Sequence, residues 1–211
     1  QAALQHWPQP LEGEEPLQFQ VLVADQYLQL ADWLGGLRVN AAGGRGRVVL
    51  EASDLVKAGH YRGEKLIGHW VTHLGAHLAG GPLTTQILSK VGDVTLAPLD
   101  PDQARQLLGD LLAAWHAGLC RPLPLAAETA FAWLKAGDAR VARKIYEGEE
   151  RKMGEVDKDP YLARVFPDYA ALTADGEFAR WAERLLRPLF GVIPVGRNRT
   201  AASTPAGEVS P

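Results

Sequence analysis

Residues 28–81 constrain the fold more than any other stretch of this chain. Residues 28–39 (LQLADWLGGLRV) and 46–53 (GRVVLEAS) are β-rich runs joined by the glycine-rich segment Asn40-Ala41-Ala42-Gly43-Gly44-Arg45. The second run is apolar at Val48, Val49 and Leu50 in succession, the pattern of a strand covered on both faces. After a loop at 54–62, Leu66, Ile67, Trp70, Val71, Leu74 and Leu78 recur at helical spacing, predicting a helix over 63–79. Gly80-Gly81-Pro82 ends it. Strand, turn, strand, loop, helix in this order predicts a mixed α/β (α+β) domain with a sheet laid against a helix.

The flanks complete the picture. Leu4, Trp7 and Leu11 read as the end of a helix lying mostly upstream, and Pro8, Pro10, Gly13 and Pro16 then break the chain. Residues 17–23 alternate, with Leu17, Phe19, Val21 and Val23 on one face, as a half-buried strand does. A turn at Ala24-Asp25-Gln26 returns the chain. A hairpin is predicted from 83–90 and 94–96 around Val91-Gly92-Asp93. Asp100-Pro101-Asp102-Gln103 is the best helix start, with a capping side chain at Asp100, Pro101 at the first helical position and Gln103 where a capping box places Glu or Gln. That helix ends near Gly118 and shows Ala104, Leu107, Leu108, Leu111, Leu112 and Trp115 on one face. Shorter helices are predicted near 127–135, 139–147 and 160–166, with a polar, mobile stretch at 154–159. The last helix spans 176–190. Residues 1–16 thus read as an upstream remnant, 17–190 as the domain and 191–211 as a disordered tail.

The chemistry-bearing residues are few. A formal charge of −3 argues against bulk electrostatic attachment to nucleic acid, though a local basic patch is compatible with it. One cysteine, Cys120, rules out an internal disulfide framework and a cysteine zinc cluster, and fits a reducing cytoplasm. No apolar run reaches the roughly 18–20 residues that span a bilayer, so no membrane partner is expected. His69, His73 and His77 stack at intervals of four. Two of them can share a metal, but the outer pair lies about 12 Å apart and no HExxH glutamate is present, so a polar stripe is the better reading. His73, near Trp70, can alternatively anchor a loop. Asp32 and Glu51 sit on what read as neighbouring strands. The lysine that would complete a metal-dependent nuclease belongs two residues after Glu51, on the same strand face, and Ser53 stands there. Gly43-Gly44-Arg45-Gly46-Arg47 can hug a phosphate backbone but is not a Walker A loop. Arg45 and Arg47, then Lys90 and the helix of Arg140, Arg143 and Lys144, are the candidate DNA contacts. No nucleophile elbow is present.

Beyond these readings, the chain resembles the C-terminal domain of RecC, the gamma chain of exodeoxyribonuclease V (RecBCD), over about residues 17–190. The strings that carry it are Asp32-Trp33-Leu34, the W-x-x-H-L of Trp70 to Leu74, Ala79-Gly80-Gly81, Ala97-Pro98-Leu99 and Pro122-Leu123-Pro124-Leu125 with Ala132-Trp133-Leu134. Tyr146-Glu147-Gly148, Gly154-Glu155-x-Asp157 and residues 185–190 (LLRPLF) continue the series. The resemblance implies a restriction-endonuclease-like PD-(D/E)xK core lacking its catalytic motif. In an active relative's pattern, the metal-binding acid falls at Gly35, the second acid at Glu51 and the lysine at Ser53. The resemblance further implies a scaffold that docks RecB-type and RecD-type subunits and guides duplex and forked DNA. Mg²⁺ and ATP would then serve the partner subunits, with no cofactor in this domain.

Overall fold

The computed structural model describes residues 2–194. Helix α1 (Ala2–His6) leads to the short strand β1 (Gln9–Pro10), then β2 (Glu15–Val23), β3 (Gln26–Leu34), β4 (Leu37–Val39) and β5 (Arg45–Glu51). A miniature hairpin of β6 (Val56–Lys57) and β7 (His60–Tyr61) occupies the predicted loop. A single 3₁₀ turn at Gly63–Leu66 then opens into α2 (Ile67–Gly80). Strands β8 (Thr84–Ser89) and β9 (Val94–Leu96) form the expected hairpin.

One sheet has the order β1-β4-β5-β8-β9. Within it β5 and β8 are parallel, joined by α2 as the crossover that parallel neighbours require, and the other pairs are antiparallel. Trp70 and Leu74 of α2 are buried with Ile87, Val94 and Leu96 of the sheet. Strands β2 and β3 form a separate ribbon closed by the two-residue turn Ala24-Asp25, both residues at positive φ. On β2 the alternation is as read, with Leu17 and Phe19 buried and Pro16, Gln18, Gln20 and Leu22 exposed.

The single strand predicted over 28–39 is two strands in two sheets. The break falls at Gly35-Gly36, where Gly36 takes φ +71°, a conformation glycine adopts without a Cβ penalty. Nor is β5 covered on both faces. Gly46 lies under the buried Trp7, which holds part of the outer face, but Leu50 is 82% exposed. Trp7 and β1 are therefore part of the sheet region, with α1 directly ahead of them.

The C-terminal half is helical. Helix α3 (Pro101–Cys120) starts as read: the Asp100 carboxylate accepts from the N–H groups of Asp102 (2.9 Å) and Gln103 (3.2 Å). Ala104 and Leu108 are buried, but Trp115, assigned to the same face, is 56% exposed. Then come α4 (Ala127–Ala136) and α5 (Ala139–Glu147), a turn between β10 (Gly148–Glu149) and β11 (Lys152–Met153), α6 (Glu155–Lys158), α7 (Pro160–Val165), α8 (Tyr169–Thr173), α9 (Glu177–Trp181) and α10 (Arg187–Val192). The stretch expected to be mobile at 154–159 carries α6. Its Glu155 takes N–H groups of Glu128 (3.0 Å) and Thr129 (2.7 Å) and the Thr129 hydroxyl (2.7 Å), capping α4 from a distance in sequence. The last helix is interrupted by a π turn at Ala182–Leu186, where the Arg187 N–H reaches the Ala182 carbonyl just ahead of Pro188. It runs on through Gly191 to Val192, two residues into the predicted tail; 195–211 lie outside the described residues.

Candidate functional site

The site is built where β5 ends beneath the start of α2. Glu51 is the last residue of β5, and the register Arg47↔Thr85, Val49↔Ile87 and Glu51↔Ser89 puts it on the face that α2 covers. Both of its oxygens are engaged. Oε1 accepts the N–H of Ser53 at 2.8 Å, and Oε2 meets Nε2 of His69 at 2.9 Å. The Ser53 backbone bond, followed by His69, holds the Glu51 carboxyl at about 2, so it is ionised throughout the working pH range. Asp32 does not join it. It lies on β3, in the other sheet, exposed, with its Oδ1 taking the Trp33 N–H (2.8 Å). The premise of neighbouring strands fails because β4, not β3, pairs with β5. Gly35 sits in the link between the sheets, facing the side chain of Glu14.

One ordinary carboxylate with both oxygens occupied is a poor magnesium site, which takes several oxygens in octahedral array. Among the described residues, no three His, Cys, Asp or Glu side chains come together as a metal cluster. The residues at Gly35, Glu51 and Ser53 do not fit a nuclease metal.

The histidine ladder is an internal brace rather than a polar stripe. His73 and His77 are buried. Nε2 of His73 faces the Ala97 carbonyl (3.1 Å), so it carries the proton and donates, and Nδ1 is left to accept from the Thr85 hydroxyl (2.8 Å). His77 is the opposite tautomer: Nε2 accepts the Leu99 N–H (2.8 Å), and Nδ1 donates to the His73 carbonyl (2.8 Å). Together they fasten residues 97–99, the lead into α3, to α2 and β8. Burial, with the neighbouring His77, pushes His73 down to about 4, and burial lowers His77 as well. The loop-anchoring alternative for His73 is the one the structure supports.

The basic candidates divide. Arg45 is spent inside the fold, ion-paired to Glu15 and donating to the Gly81 carbonyl (2.6 Å) where α2 ends. Arg47 is half-buried, burial lowers its pKa, and its Nη1 is enclosed with no partner among the described residues. The Gly-rich turn therefore presents neither guanidinium as a free phosphate contact. The turn is held instead by Asn40, whose Oδ1 takes the N–H groups of Ala42 (3.0 Å) and Gly44 (2.7 Å). Lys90 is exposed beside the β8–β9 turn. On α5, Arg140 pairs with Asp138, Arg143 with Glu147 and Lys144 with Glu149, all at the surface. Such exposed pairs are worth little and exchange readily for other anions.

Sequence reasoning missed the partners rather than the groups. Nothing local links Glu15 to Arg45, or Glu51 to His69, because each pair joins different elements. Glu155 stands in the string Gly154-Glu155-x-Asp157, but nothing local in it points to the start of α4, 26 residues away at Thr129.

No helix among the described residues is long and apolar enough to cross a membrane. No curated protein matches the chain. The family model described as RecC C-terminal domain matches residues 1–138. That span begins earlier than the resembling strings and ends before those at 146–148, 154–157 and 185–190. It takes in the five-stranded sheet, the β2–β3 ribbon, α2, α3 and α4, including Glu51, Ser53 and the histidine brace. On that span, about two thirds of the sequence, the chain belongs to the RecC C-terminal domain family and so to the components of RecBCD-type DNA-repair complexes.

Proposed function

We propose that the chain is a non-catalytic scaffold and DNA-guiding domain of an exodeoxyribonuclease V gamma subunit, acting in double-strand break repair and recombination. In this reading it docks a RecB-type subunit, with a RecD-type subunit in the same assembly, and helps to part and channel DNA. Its core is a PD-(D/E)xK nuclease-type fold without the catalytic motif. Mg²⁺ and ATP serve the partner subunits, and the assembly works in the cytoplasm.

Beyond family membership, the state of Glu51 carries the reading. The one acid left at the nuclease-like positions is tied off by Ser53 and His69, with serine in the lysine's place. The alternative of a residual nuclease using Asp32 and Glu51 needs two acids that here belong to different sheets. Lys90, Arg140, Arg143 and Lys144 are the DNA contacts of this proposal, since Arg45 and Arg47 are engaged or enclosed. A pure protein-interaction domain would lack any such contact.

Purified chain with linear duplex and Mg²⁺ or Mn²⁺ is expected to leave the DNA intact. Cutting that Glu51→Ala abolishes would overturn the non-catalytic reading. Binding of forked DNA is expected to weaken as salt rises, with a shallower salt slope in the Lys90→Glu/Arg143→Glu double variant. Salt-independent or absent binding would favour the pure interaction domain.

A further inference from the structure

The β2–β3 ribbon has an edge that nothing in the fold completes. Val23 and Gln26 close a two-residue turn, so they form a hydrogen-bonded pair, as do Val21 with Leu28 and Phe19 with Leu30. The alternate residues Gln18, Gln20 and Leu22 therefore aim their N–H and C=O groups away from β3. No backbone partner takes them among the described residues. Native edges of this length are ordinarily blunted by lysines, inward charges, bulges or proline. Here Gln18, Gln20 and Leu22 carry no charge, the nine pairs run without a bulge, and proline stands only at Pro16.

Beside this edge runs a groove of about 410 Å³. Its strand residues all come from β2 and none from β3, which places it on the open side. Small residues of α3, Gly109 and Ala113, line it opposite Phe19 and Val21. At one end Arg184 is neutralised by Asp110 through bonds of 2.7 and 3.0 Å. Arg105 also lines the groove, stacked over the Phe19 ring at 5.6 Å, with no carboxylate in ion-pair reach among the described residues.

We propose that the free edge of β2 takes an extended segment of a partner polypeptide as a third strand of the ribbon, with a carboxylate of that segment opposite Arg105. Main-chain bonds to Gln18, Gln20 and Leu22 supply the affinity. Apolar side chains of the segment fall toward Gly109 and Ala113, and the pairing with Arg105 sets the register. A nucleic acid strand suits the groove poorly, because a single unneutralised arginine offers a phosphate backbone little to pair with.

The inference rests on the docking reading above, and one experiment separates the two. The full chain is mixed with the RecB-type subunit from the same source, and affinity and amide hydrogen exchange are measured. Binding with slowed exchange at Gln18, Gln20 and Leu22 is expected. Gln20→Pro deletes an outward N–H that β3 does not use, and is expected to weaken binding at least tenfold. Arg105→Glu, at an exposed side chain, is expected to weaken it several-fold without touching the ribbon. Binding at unchanged affinity in both variants, with β2 exchanging as in the free chain, would overturn strand addition and leave docking standing. No binding at all would overturn both.

Discussion

Two buried positions, Gly154 and His73, show how single residues constrain the interior. At Gly154 a Cβ would strike the Tyr146 carbonyl and the backbone of Glu147 and Gly148, none of which can yield. Gly154→Ala is expected to lower stability by about 2–3 kcal/mol in urea titration, in line with overpacking a tight site. His73 has the opposite character, a polar group whose two ring nitrogens are both satisfied while it is neutral. Its folded pKa of about 4 lies below the ordinary 6.5. The unfolded chain therefore binds the proton first as pH falls, and stability is lost between about pH 6.5 and 4, with no further loss from this group below that. Thermal melts across pH are expected to show this slope, flattened in His73→Gln. A pH-independent midpoint over that window would contradict the buried neutral imidazole. Of these residues, the sequence marks Gly154 and His73 as notable but not why. The reason lies in atoms 6 to 24 positions away along the chain.

At the level of elements, local signals are legible in the sequence and long-range pairings are not. The β2 alternation, the β8–β9 hairpin and the α3 start all rest on neighbours in sequence, and each is where the pattern puts it. β-propensity runs unbroken over 28–39, while the pairing that splits the stretch at Gly35-Gly36 is tertiary. The charge of 154–159 points to solvent, whereas Glu155 is occupied by the open end of α4. The two caps are distinguishable by experiment. Asp100→Ala is expected to cost about 1 kcal/mol, the usual loss of an N-cap. Glu155→Ala removes the acceptor from two amides and the buried Thr129 hydroxyl, and is expected to cost more, about 1–3 kcal/mol in chemical denaturation. Equal effects would mean that the Glu155 bonds are replaced by water.

For the molecule as a whole, serine in the place of a lysine two residues after Glu51 was legible in the sequence. The engagement of Glu51 by His69 was not, since α2 must first be laid over β5. The apolar interior is continuous: Leu17 and Phe19 of the ribbon, Ile87 of the sheet, and Leu134, Tyr146, Phe178 and Leu189 of the helices belong to one buried cluster. The family match ends at residue 138, yet Glu155, beyond it, caps α4 within it, and Arg121 within it grips Glu177 beyond it through two bonds of 2.6 and 2.8 Å. The limit of family likeness is thus no seam in the fold. Tying α4 to Glu155 joins the matched segment to the helices that follow it. The two sides of residue 138 are therefore expected to melt in one transition, and a chain cut at that limit would leave the α4 amides of Glu128 and Thr129 without their acceptor.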